Sequence, residues 1–84
     1  MARQYNGYPS WNSWNVSLWI NNDYELYTTA YDAVQNNGIT RAVNILTAYW
    51  YKKKTPDGGV FNKRSIAIAL EGIDELVTQA RDDE

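Results

Sequence analysis

Apolar positions recur at helical spacing in three segments after residue 22, and an earlier segment fits two periods at once. From Leu26 the chain repeats Leu26, Tyr27, Ala30, Tyr31 and Val34, the stripe of a helix with one buried face. Asn22 offers a capping side chain ahead of it, with Glu25 three positions on and Asp23 as a second acid against the positive end of the helix dipole. Asn36-Asn37-Gly38 supplies a left-handed stop. Thr40 can cap the next helix, which carries Ala42, Val43, Ile45, Leu46, Tyr49 and Trp50 on a broad apolar face. That helix is read as ending in Lys52-Lys53-Lys54, the favourable charge for a C-terminus. Thr55-Pro56-Asp57-Gly58-Gly59 has Pro and Gly where tight turns require them, and Val60 and Phe61 are expected to plug the core from a short extended piece. Ile66, Ala69, Leu70, Ile73, Val77 and Ala80 predict a last helix from Ser65 to Arg81. Beyond it Asp82-Asp83-Glu84 should fray, because three acids at a helix C-terminus oppose the dipole.

The segment from Trp11 to Asn21 is ambiguous. Trp14, Val16, Leu18 and Ile20 alternate with Asn15, Ser17 and Trp19, as in a half-buried strand. The helical template fits as well: Trp11, Trp14 and Leu18 share one stripe, with Val16 and Ile20 paired beside it. Ser10 is a good N-cap and no hairpin partner lies nearby, so helix is the preferred reading. Residues 1–10, with Gly7 and Pro9, read as an irregular arm that Tyr5 and Tyr8 could pin to a surface.

Eighty-four residues hold one core, so 1–84 is read as a single domain: the arm, a helical region over 11–81 and a tail. The expected fold class is all-α, a small bundle of three to four helices. Its core is expected to join Trp14, Leu18, Leu26, Ala30, Val34, Val43, Leu46, Trp50, Leu70, Ile73 and Val77. Composition then narrows the chemistry. The chain has no Cys and no His, which removes disulfides, thiol nucleophiles, the usual general base and the commonest metal ligand. Asp23 with Glu25 and Asp74 with Glu75 read as helix-end and solvent-face charge, and Gly58-Gly59 lacks the spacing of a phosphate loop. No enzyme, cofactor or metal site is expected. No signal peptide or membrane-length apolar run is readable, which points to a soluble protein of a reducing cytosol, with Asn15-Val16-Ser17 a chance sequon.

The run Tyr5-Asn6-Gly7-Tyr8-Pro9-Ser10-Trp11-Asn12-Ser13-Trp14-Asn15-Val16-Ser17-Leu18-Trp19-Ile20-Asn21-Asn22-Asp23 resembles the opening of a family of short uncharacterised proteins encoded by tailed bacteriophages and plasmids. Its pattern Trp-x-x-Trp-Asn-Val-x-Leu-Trp, then Asn-Asp and a Leu-Tyr pair, falls on Trp11, Trp14, Asn15, Val16, Leu18, Trp19, Asn22, Asp23, Leu26 and Tyr27. Thr55-Pro56-Asp57-Gly58 and Ile73-Asp74-Glu75-Leu76 resemble the family's turn and last helix, while the Lys run and the apolar stretch Ile66 to Leu70 depart from it. The resemblance implies a mobile element in a bacterial host, hence the host cytoplasm. By analogy it implies an inhibitor of host defence or a regulator of host machinery.

Three features remain as candidates. Trp11, Trp14 and Trp19 cannot all face one way on a helix, so Trp19 is read either as core or as an exposed anchor for a partner. Charge is segregated: −2 over residues 1–40, +5 over 41–64 and −5 over 65–84. Lys52, Lys53, Lys54, Lys63 and Arg64 with Trp50 and Tyr51, beside Tyr49, therefore form a candidate patch. It suits an acidic protein surface or, as the alternative, a nucleic acid held by phosphate contacts and stacking. The plain reading is a solvated helix end neutralised by the acidic last helix. Finally, Asn15 sits among apolar residues and is expected to make a buried polar contact that fixes helix register, whereas Asn44 is read as either that or solvated. The overall expectation is a non-enzymatic accessory protein that binds a host protein.

Overall fold

A computed structural model describes residues 7–82, without the side chain of Asp82. Tyr5 of the arm and Asp83-Glu84 of the tail lie outside them. The described residues form four helices and no strand: α1 (Trp11–Asn22), α2 (Tyr24–Asn37), α3 (Ile39–Tyr49) and α4 (Lys63–Asp82). The all-α expectation holds, and the ambiguous first segment is helical.

Each boundary has a local cause. Ser10 caps α1, its hydroxyl accepting from the Ser13 N–H at 3.1 Å. A single residue joins α1 to α2: the Asp23 N–H closes α1 on the Trp19 carbonyl, and its carboxylate caps α2 by accepting from Leu26 N at 3.0 Å. Asn22, the expected cap, instead ends α1 with its amide on the Leu18 carbonyl. A single residue also joins α2 to α3. Gly38 at φ +80° donates to the Val34 carbonyl and offers its own carbonyl to Ala42 N, so Thr40 caps nothing. α3 stops at Tyr49, before the lysines, and Lys52 turns the chain in the left-handed region at φ +62°. α4 starts two residues earlier than its stripe suggests because Asn62 caps it. The Asn62 side chain accepts from Ser65 N, and the Ser65 hydroxyl accepts from Asn62 N, a reciprocal cap that satisfies otherwise unpaired helix-end donors.

α4 runs through the middle of the bundle and packs against each of the other three helices. Arg81 at its far end donates to the Gln35 carbonyl near the end of α2. The core joins Val16 and Ile20 of α1, Ala30, Ala33 and Val34 of α2, Ala42, Val43 and Leu46 of α3, then Trp50 and Phe61, and Ile66, Ala69, Leu70, Ile73 and Val77 of α4. Most of the expected core is there, with Leu26 packed on its edge. Several inward readings fail, Ile45 and Tyr49 on the expected apolar face of α3 among them, since both are exposed. Leu18 is 39% exposed and Val60 is exposed as well, while Trp14 is only half-buried and Ala80 faces solvent. On α1 the buried stripe is Ser13, Val16, Ser17 and Ile20, not the one with the largest side chains.

Candidate functional site

Between α3 and α4 the chain makes an excursion. Phe61 N donates to the Lys53 carbonyl at 3.0 Å and Thr55 N to the Gly59 carbonyl at 2.8 Å, with Lys54 and Val60 bridged antiparallel. Residues 53–61 thus leave and return to nearly the same place, and the tip docks on α1. Asn12 serves both backbone groups of Val60: its amide donates to the carbonyl at 3.0 Å and its carbonyl accepts from the N–H at 2.7 Å. Asn15, 1% exposed, accepts from the Thr55 hydroxyl, which itself accepts from Gly59 N. The Asn15 amide then donates to Asp57 at 3.0 Å, and the Trp19 indole N–H donates to the same carboxylate oxygen at 2.9 Å. Hydrogen bonds to the ionised form favour it, so Asn15 first and Trp19 second hold the Asp57 carboxyl below its ordinary pKa. Gly59 has no room for a side chain: a Cβ there would stand 2.6 Å from the Asn15 carbonyl oxygen.

Residues 12, 15 and 19 form one stripe of α1, so this clamp brings the Trp-Asn signature onto the Thr-Pro-Asp-Gly turn. Asn15 makes the buried polar contact expected of it, and Asn44 is exposed. Of the candidate patch, Trp19 is half-buried in the clamp. Trp50 is corrected outright as a stacking platform: it is 5% exposed and packed edge-on against Phe61, ring centres 5.3 Å apart. The turn at Lys52 rolls Trp50 into the core and leaves its neighbours outside.

The cations separate. Lys53 and Lys54 line a cleft of about 340 Å³, with Asp23 and Glu25 also in its walls and Trp19 and Leu26 among its apolar lining. That cleft runs on into a groove of about 480 Å³ lined by Glu25, Leu26, Thr29, Tyr49, Tyr51 and Lys53, with the buried Trp50 also in its wall. Tyr49 and Tyr51 are 72% and 74% exposed, and the Lys52 ammonium lies over the Tyr51 ring at 5.5 Å. Lys63 and Arg64, in the first turn of α4, line different hollows, each shared with Glu71 and the second also with Glu75 and Tyr8. Tyr49 flanks the patch in the sequence, but Glu25 and Leu26 are not among the candidate residues. Nothing along the chain marks these two, since the groove exists only where the start of α2 meets the end of α3.

Among the described residues no cluster of three or more His, Cys, Asp or Glu could hold a metal ion, and no helix is long and apolar enough to cross a membrane. No curated protein and no solved structure matches the chain. The sequence model of a family of unknown function, DUF7249, matches residues 1–83, and the chain belongs to that family.

Proposed function

We propose that this chain is a non-enzymatic accessory protein of a bacteriophage or another mobile element that acts in the host cytoplasm by binding a host protein, with a defence complex as the target class. The observation that carries the binding reading is the pair Tyr49 and Tyr51, more than 70% exposed beside a groove in a domain short of material for its core. Tyrosine offers large, rigid contact area and a polar tip, which is why it is enriched at protein interfaces. The absence of His and Cys from the sequence agrees with a role without catalysis. The mobile-element setting rests on the Trp-rich opening and its resemblance.

The test is affinity capture from host lysate at physiological salt, with the wild-type chain and a Tyr49→Ser/Tyr51→Ser variant as baits. A discrete host protein retained by the first and lost by the second is the expected result. Non-specific carry-over alone on the wild-type bait counts against the proposal. The nucleic-acid alternative is weakened by the burial of Trp50 and by acidic neighbours in each hollow that holds a cation. A shift of single-stranded DNA that collapses with added salt would revive it.

A further inference from the structure

The cleft and the groove share Glu25, Leu26 and Lys53, so together they form one trough across the junction of α2 with the excursion. Its charges are not mixed at random. Lys53 and Lys54 come from the excursion, whose remaining acid, Asp57, is held by Asn15 and Trp19. Asp23 and Glu25 come from the start of α2, and the Asp23 carboxylate is engaged as its cap. Leu26 lines both halves, and the exposed rings of Tyr49 and Tyr51 line the second.

Resting on the protein-binding reading above, we infer that this trough receives a protein segment presenting one acidic side chain to Lys53 and Lys54 and, a few residues away, an apolar or aromatic side chain over Leu26 beside Tyr49 and Tyr51. Charge complementarity selects the occupant. A nucleic-acid strand carries a charge at every nucleotide and would have to pass Glu25 and Asp23, whose repulsion opposes it. A peptide places its single carboxylate only where the two ammonium groups stand. The apolar anchor supplies the affinity, because a ring or aliphatic chain seated among tyrosines is the kind of contact that dominates interfaces. The clamp from Asn12, Asn15 and Trp19 fixes the excursion that carries Lys53 and Lys54, which reduces the backbone ordering that binding requires.

Peptide display on the immobilised wild-type chain tests the inference, with the strongest selected peptide synthesised as the probe and its affinity measured by fluorescence anisotropy. The selected peptides should share an acid next to a bulky apolar residue. The probe should weaken about tenfold or more against Lys53→Glu/Lys54→Glu and again against Tyr49→Ser/Tyr51→Ser, the loss expected from removing a charge pair or a hot-spot contact. All four side chains are exposed, and circular dichroism verifies that both variants fold. Selected peptides without the acid, a probe indifferent to the lysine reversal, or an oligothymidine that outcompetes every peptide would overturn the inference. Capture of a host protein that survives the lysine reversal would also overturn it while leaving the protein-binding reading intact. An empty capture beside a probe that obeys the pattern would sink the host target and not the trough.

Discussion

Helices α1 and α4 pack against each other yet are built on different terms. α4 carries Ile66, Ala69, Leu70, Ile73 and Val77 on a single stripe, and all five are buried. Lys63, Arg64, Glu71, Glu75 and Arg81 lie outside that stripe with Leu76 and Ala80, so one period describes its buried side. α1 has three stripes with three addresses. Ser13, Val16, Ser17 and Ile20 face the core, Asn12, Asn15 and Trp19 hold the excursion, and Trp11 and Leu18 are left exposed. A helix whose neighbours are all helices, as for α4, can be oriented from its apolar stripe. A helix that must also hold a loop by hydrogen bonds is oriented by the contact that is harder to satisfy. For α1 that is the amide of Asn15, which would be costly to bury without partners.

Truncating the core should break both helices equally if their inward stripes are as described. Leu70→Ala, Ile73→Ala and Ile20→Ala should each lower the unfolding free energy by roughly 2–5 kcal/mol in denaturant titrations. An Ile20→Ala effect much below that of Leu70→Ala would mean α1 is rotated away from the core. Gly59→Ala should cost roughly 1–3 kcal/mol, since the added methyl collides with the Asn15 side chain. The double variant with Asn15→Ala should fall short of the sum of the two, a coupling that a double-mutant cycle reads directly. Asn15→Ala alone should cost about 1–3 kcal/mol by leaving the buried Thr55 hydroxyl without its acceptor. An Asn12→Ala change at the half-buried rim should cost less. Leu18→Ser should stay within about 0.5 kcal/mol of the wild type, as exposed substitutions do, and a loss comparable to that of Ile20→Ala would erase the distinction between the stripes.

The smallest expected effect is on pH dependence. Asp57 has a folded-state pKa below its ordinary value of 3.8. Its hydrogen bonds therefore add stability above that value and lose it as pH falls through the lower, folded pKa. The melting temperature of the wild type should thus exceed that of Asp57→Asn at neutral pH, and the gap should narrow as pH falls below 3.8. A gap that widens in acid would show that the carboxylate is not the group that Asn15 and Trp19 stabilise.

Much was readable along the chain, and the failures share a cause. The inward stripes of α2 and α4, the Ser10 cap and the Gly38 stop follow from periodicity and local capping chemistry, which involve residues within a turn or two of each other. Asn15 could be singled out because apolar neighbours leave a mid-helix amide little water. Its partners, forty or more positions away, could not be named. Among the site residues, Tyr51 stands exposed as the sequence suggests. Trp50, one position earlier, is buried as its place in the expected core requires, and only the stacking role beside the lysines fails, because its ring packs on the distant Phe61.

The amino-acid order alone determined that the chain is helical, where its main turns fall and which residues of α2 and α4 face inward, since each depends on spacing between near neighbours. Only the tertiary structure decided which way α1 faces and that Lys53 and Lys54 part from Lys63 and Arg64 to share a trough with Glu25 and Leu26. Those outcomes depend on the return of residues 53–61 onto α1, a meeting of distant segments whose hydrogen bonds exist only once the helices are packed.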